Sequence, residues 1–149
     1  MKPPSIARFE QFYAASILLG WINAGLNWHA SQARLAANPA LAPIVAWFLP
    51  AMQVVSIVIA VLLWYFIVRR PTVVAKWVQV VFAAFAAIGV ISAIGFIAAG
   101  RAALTPTAIL GIVANVLYVA AAVMLFRPDA KLWLGVELDE DDYEEAPRT

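Results

Sequence analysis

One stretch decides the fold of this chain: residues 73–99 read VVAKWVQVVFAAFAAIGVISAIGFIAA. The run carries a single charged side chain, Lys76, and its apolar residues are continuous instead of alternating. A hydrocarbon core of about 30 Å needs about 20 helical residues to cross it. Because lipid offers no hydrogen-bond partner to a bare backbone amide, a run of this kind predicts a membrane-spanning helix.

Three further apolar stretches bring the number of predicted spans to four, at residues 9–28, 43–68, 73–99 and 106–126. The composition agrees, because 64% hydrophobic and 13% charged residues lie far from the balance of a soluble domain. The connections after the second and third spans are short. We therefore expect an all-α, up-down four-helix membrane domain over residues 1–136.

The first span and the loop after it need separate treatment. The start of the chain also resembles a cleavable signal peptide ending near residues 31–33, but the length of the run and its Asn23 and Asn27 favour a retained span. The loop that follows, residues 29–42, is expected to contain a short helix over residues 31–37, before Asn38-Pro39 ends it.

The basic residues predict the orientation, because Lys and Arg near span ends are retained on the cytoplasmic side. With four crossings, most of the ten cations lie on one side: Lys2, Arg8, Arg69, Arg70, Lys76, Arg127, Lys131 and Arg148. Arg34 and Arg101 lie on the other. Both termini are therefore expected in the cytoplasm.

The end of the chain differs sharply from the apolar body. Residues 130–136 combine Lys131 with apolar side chains and predict an interfacial segment. Residues 137–149 carry seven carboxylates against Arg148, which predicts a disordered acidic cytoplasmic tail. Such a tail is expected to be solvated, to contact the basic turns, or to bind a basic partner.

Polar side chains inside the predicted spans are costly in hydrocarbon, so they indicate either packing or function. In the first span such residues recur every three or four positions and share one helical face. The candidates are Ser16, Gly20, Asn23, Asn27, Gln53, Ser56, Ser92, Asn115 and Tyr118. They are expected either to pack the helices together or to line a small polar cavity for a solute or a lipid headgroup.

A second set of candidates lies near the predicted membrane interfaces: Glu10, Arg69, Arg70, Lys76, Arg127 and Trp133. Glu10 is the one carboxylate within a predicted span, and it lies in the first turns. We therefore expect it to have a capping or interfacial role, opposite Lys76, instead of coupling proton transport.

The sequence shows little that is typical of an enzyme. It has no cysteine, and His29 has no Asp, Glu or Cys nearby, so no metal site is expected. There is no phosphate-binding glycine loop and no nucleophile beside a base, so we expect neither catalysis nor a cofactor. The short basic clusters are explained by anionic lipid, and no nucleic-acid partner is expected.

The two ends of the chain carry a family resemblance. The entry Pro4-Ser5-Ile6 with Arg8-Phe9-Glu10 and Tyr13, and the exit FRPDAKLW at residues 126–133, resemble small uncharacterised four-span inner-membrane proteins of bacteria. The resemblance extends over residues 4–134. It implies the bacterial plasma membrane, no established activity, and two targets for mutation, Glu10 and the Arg-Pro-Asp exit.

Two functions of different classes follow from these features. The favoured one is a non-enzymatic accessory or scaffold protein that self-associates or packs on a larger membrane complex. The alternative is a small transporter, or a ligand- or lipid-binding membrane protein, that uses a polar cavity inside the bundle. The absence of an ionisable side chain near the middle of any span argues against an ion-driven transporter.

Overall fold

The computed structural model describes residues 2–136, and this part of the chain is helical without β-strands. The helices are α1 (Pro4–Leu26), α2 (Trp28–Ala36), α3 (Val45–Trp64), α4 (Val73–Ala98), α5 (Pro106–Met124) and α6 (Pro128–Trp133). A 3₁₀ turn, Ala42–Ile44, precedes α3, and a π-helical turn, Tyr65–Arg69, follows it. The predicted acidic tail, residues 137–149, lies outside the described residues.

Three of the helical segments are long and apolar enough to cross a membrane: Ala42–Arg69, Val73–Ala98 and Pro106–Met124. This confirms a multi-pass helical protein and matches the last three predicted spans closely. Helix α1 is not among these three, although it has 23 residues. Arg8 and Glu10 near its start and Asn23 near its end make it more polar than the others.

Local signals in the sequence explain where the helices begin and end. Proline occupies the first position of α1, α5 and α6, where its missing N–H costs nothing. The Thr105 hydroxyl caps α5 by accepting a hydrogen bond from the Ala108 N–H at 3.1 Å. Helix α4 ends at Ala98, and two residues later the φ of 67° at Gly100 lets the Arg101 N–H turn back to the Phe96 carbonyl.

Helix α5 lies between α1 and α4 and makes the most extensive contacts of the fold. Along α1 the order of contacts is reversed, because the Tyr13 ring lies 5.6 Å from that of Tyr118, whereas Asn23 lies beside Gly111. Helices α1 and α5 are therefore antiparallel. Helix α3 meets α4 close to the turn that joins them and hardly beyond it.

The packed core lies at one end of the bundle. We call this the closed end: α1, α4 and α6 begin there, and α3 and α5 end there. Its fully buried large side chains are Phe9, Ile6, Ile67, Leu125 and Gln79. No residue is buried in either of the ranges 17–59 and 84–113. The opposite end, called the open end, is therefore splayed.

The predicted interfacial segment forms part of the closed end. Ala130 is fully buried and Leu134 nearly so, whereas Leu132 is exposed. This segment therefore adds the side chains of Ala130 and Leu134 to the core and leaves that of Leu132 exposed.

The two ends of the described chain are joined by a hydrogen bond. The backbone N–H of Ser5, in the first turn of α1, donates to Asp129 Oδ2 at 3.0 Å. A carboxylate at this place satisfies a helix N–H that has no partner within its own helix, and it faces the positive end of the helix dipole. Burial raises the pKa of Asp129, but hydrogen bonds from the Ser5 side chain and from backbone N–H groups outweigh it, so the pKa is lowered overall.

We predict that Asp129→Ala lowers the free energy of unfolding by about 1 kcal/mol at neutral pH, because α1 loses its cap. A lowered folded-state pKa stabilises the fold above the ordinary carboxyl value of about 4, and this contribution is lost as the pH falls through the folded-state pKa. The difference between wild type and variant should therefore shrink in acid. Thermal unfolding in a non-ionic detergent, followed by circular dichroism from neutral to strongly acidic pH, measures it.

Thr105→Ala is the matched control, because it removes a cap that carries no titratable group. The decrease in the free energy of unfolding caused by Thr105→Ala should be independent of pH. If the decrease in the free energy of unfolding caused by Asp129→Ala is also independent of pH, the assigned role of the carboxylate is contradicted.

Candidate functional site

Two adjoining cavities occupy the splayed part of the bundle, and together we call them the polar cleft. Their volumes are about 360 and 340 Å³, and both are lined by Asn23, Gly111 and Asn115. The first extends toward α2 and the start of α5, where Arg34 and Thr107 line it. The second extends toward the middle of the bundle.

Most of the predicted polar face lines this cleft. The cleft brings together side chains from α1, α3 and α5. The lining residues from the predicted set are Ser16, Gly20, Asn23, Asn27, Gln53, Ser56, Asn115 and Tyr118.

The α1 side of the cleft is held by hydrogen bonds within the helix. Asn27 Nδ2 donates to the carbonyl oxygen of Asn23 at 2.9 Å and to its Oδ1 at 3.0 Å. The Ser16 hydroxyl donates to the Tyr13 carbonyl at 2.8 Å. The last turn of α1 therefore presents a fixed pair of amides, while Asn23 Nδ2 lies toward α5.

The α5 side of the cleft is shaped by a glycine. A Cβ added to Gly111 would lie 3.1 Å from Asn23 Nδ2, so the absence of a side chain permits this close approach. One turn later, Asn115 Nδ2 donates to the Gly111 carbonyl at 2.8 Å. Its Oδ1 then remains as an acceptor on the cleft wall.

The deep end of the cleft is closed by a polar contact between helices. The Tyr118 hydroxyl donates to Gln79 Oε1 at 3.0 Å, and the Tyr13 hydroxyl donates to the Ala60 carbonyl at 3.0 Å. Gln79 is fully buried, and its Nε2 has no partner among the described residues. These contacts link α1, α3, α4 and α5 at one level of the bundle.

Ser92 differs from the other members of the predicted face, because it is exposed and does not line the cleft. Gly89, Val90 and Ala93 are the α4 residues that line the first cavity. Ser92 lies about 100° around the helix from Ala93 and therefore points elsewhere. Helix α4 therefore contributes apolar residues to the cleft instead of its serine.

The predicted interfacial residues all lie at the closed end. Glu10 forms an ion pair with Lys2 and accepts a hydrogen bond from Trp64 Nε1 at 3.0 Å. Lys76, expected opposite Glu10, is buried instead, with its Nζ 4.7 Å from the ring centroid of Phe126. Glu10 therefore ties α1 to the end of α3, not to α4.

The remaining interfacial residues surround the end of α3. Arg69 lies over the Trp64 ring at 5.8 Å, and Arg70 is exposed. Trp133 Nε1 donates to the Ile67 carbonyl at 3.1 Å, which gives a partner to a carbonyl of the π-helical turn. Arg127 is the N-terminal capping residue of α6.

Several residues of this arrangement were missed by the sequence reasoning. Arg34 was used only to count charges, although α2 places it on the cleft. Thr105 and Thr107 were not considered, and Gln79 was not recognised as a buried amide. A polar residue on the buried side of an otherwise apolar helix was the available signal for Gln79.

The described residues offer no evident metal site, because no three His, Asp or Glu side chains converge within residues 2–136. The chemical groups of the cleft are amides, hydroxyls and one guanidinium. Such groups bind polar or anionic parts of a ligand through hydrogen bonds.

No protein-family model matches this chain, and neither a curated protein nor a solved structure matches it significantly.

We predict that Gly111→Val lowers the free energy of unfolding by about 1–3 kcal/mol, because the added methyl groups force Asn23 and α1 away from α5. Gly95→Val is the matched control, since nothing lies within 4 Å of a Cβ at that position. It should change stability by less than about 0.5 kcal/mol. Equal losses for the two variants in a detergent unfolding titration would contradict the close approach of α1 and α5.

Proposed function

We propose that this protein is a four-span protein of a bacterial inner membrane, with both termini in the cytoplasm, that binds an amphipathic lipid between its helices. The fourth span is α1. Its 23 residues reach roughly 35 Å, and it runs antiparallel beside α5. Because α1 packs along α5, which is long and apolar enough to cross a membrane, this packing supports α1 as a span as well.

The distribution of cations supports the proposed orientation. Arg69, Arg70 and Arg127 lie at the closed end, together with the buried Lys76. Arg34 and Arg101 lie at the other end. Because cytoplasmic loops carry the excess of Lys and Arg, the closed end is assigned to the cytoplasm and the cleft to the outer half of the bilayer.

The observation that carries the lipid proposal is the junction of the polar cleft with an apolar groove. A cavity of about 270 Å³ between α1 and α3 is lined only by apolar and aromatic side chains and the alanines Ala14 and Ala60. It shares Ile17 and Trp21 with the polar cleft. A molecule with a polar head and an acyl chain matches both surfaces at once.

The inner part of the cleft matches the neutral polar groups of such a molecule. Gln53 and Ser56 line it and make no hydrogen bond with another described residue, so their donors and acceptors are available. Asn115 Oδ1 adds an acceptor. No charged side chain lines this inner cavity. Hydroxyl and ester groups of a glycerolipid are the expected partners.

A second candidate is the accessory or scaffold role favoured by the sequence, and the splay of α3 supports it. The first half of α3 has no buried residue and hardly contacts α4. A partner helix, or a second copy of the chain, fits beside it. Native mass spectrometry distinguishes the roles: a stoichiometric protein partner supports the accessory role, and a lone monomer that retains lipid contradicts it.

Dioleoylglycerol is a suitable probe for the proposed function, because it has a neutral polar head and two chains. We predict that the full chain binds it in non-ionic detergent and that Asn23→Leu with Asn115→Leu weakens binding roughly tenfold, through the loss of hydrogen bonds at the head. Native mass spectrometry over a range of lipid concentrations gives the dissociation constants.

Ser92→Leu is the matched control, because it makes a similar polar-to-apolar change outside the cleft. It should leave binding unchanged. If wild-type protein retains no dioleoylglycerol, or if the Asn variants bind it as wild type does, the proposed function is wrong.

A further inference from the structure

The outer part of the polar cleft differs from the inner part in carrying a positive charge. Arg34, on α2, lines the cavity of about 360 Å³ together with Asn27, Thr105 and Thr107. Of the side chains that line this cavity, the Arg34 guanidinium alone is charged. No carboxylate lies on the wall to neutralise it.

The Arg34 side chain has no hydrogen bond or ion pair with another described residue. Two of the other cations differ: Lys2 pairs with Glu10, and Arg69 lies over the Trp64 ring. Arg34 therefore retains its full set of donors for a ligand. Its planar guanidinium can donate two parallel hydrogen bonds to two oxygens of one anionic group, and a phosphate group presents two such oxygens.

Two neighbouring features add to the attraction for an anion. The N-terminus of α5 opens on the same cavity, with Thr105, Thr107 and Ala108 on its wall, and a helix N-terminus carries partial positive charge. Asn23 Nδ2 adds a side-chain donor from α1. Arginine, amide and helix end thus come from three separate helices and meet at one cavity.

We propose that the outer part of the polar cleft binds a phosphate group, with Arg34 as its principal ligand. This inference deepens the proposed lipid binding and rests on it, since the acyl chain then follows the groove between α1 and α3. The phosphate belongs to a lipid headgroup or to a soluble phosphate, and both offer the same oxygens to the guanidinium.

The test compares two lipids with identical chains, dioleoylglycerol and dioleoyl phosphatidic acid, which differ in the phosphate alone. The full-length protein in non-ionic detergent should bind the phosphatidic acid about tenfold more tightly or better, because a charge-assisted bidentate contact is added. Arg34→Gln should abolish this preference and leave dioleoylglycerol binding intact. Arg34→Lys should restore part of it.

Arg101→Gln is the matched control, because Arg101 is an exposed arginine at the same end of the bundle and does not line the cleft. It should keep the full preference.

Isothermal titration of lipid-free protein with inorganic phosphate separates the sources: Arg34-dependent binding indicates a soluble ligand, and binding of phosphatidic acid alone indicates a lipid headgroup. Either result supports the phosphate site.

Equal affinity of wild type for the two lipids, with no binding of inorganic phosphate, would overturn the phosphate site while leaving the proposed lipid binding intact. The same holds if Arg34→Gln keeps both the lipid preference and any phosphate binding. If the protein retains neither lipid, the proposed function and this inference fail together. Circular dichroism of each variant checks that it is folded.

Discussion

The antiparallel packing of α1 on α5 is the interaction on which the rest of the structure depends. At one end it is made by large side chains, with Phe9 and Leu125 fully buried. At the other end it is made by the contact of Asn23 with Gly111. In the proposed four-span arrangement, hydrocarbon provides no hydrogen-bond partner, so the polar side chains of both helices are expected to bond within the protein or to face a ligand. The change from apolar to polar contacts along this one helix pair separates the packed closed end from the cleft.

The bounds of the apolar spans could be predicted from the sequence because hydrophobic length is a local property. The predicted span at 43–68 compares with Ala42–Arg69 in the structure, and the span at 73–99 with Val73–Ala98. The spacing of Ser16, Gly20, Asn23 and Asn27 predicted one shared face of the first span, and these four residues line the cleft. The partner of that face was not predictable, because helical periodicity within α1 contains no information on which helix lies opposite.

Longer-range relations explain the remaining differences. Asp129 caps α1 from the far end of the described chain, and a local pattern cannot reveal such a contact. Arg34 was treated as a loop charge because its position beside α5 depends on how α2 folds back. Ser92 was included in the predicted polar face, although it lies one helical step from Ala93 and does not line the cleft. Polar residue type indicated candidate positions, and tertiary packing decided which of them line the cleft.

The most direct test of the account is whether α1 crosses the membrane. The chain has no cysteine, so Lys2→Cys and Ala30→Cys each introduce a unique label, one just before α1 and one in the first turn of α2, just after it. The account predicts that a membrane-impermeant maleimide labels Ala30→Cys in intact spheroplasts, and labels Lys2→Cys only after the membrane is permeabilised. Labelling of both positions from the same side would contradict α1 as a span, and with it the placement of the cleft inside the bilayer.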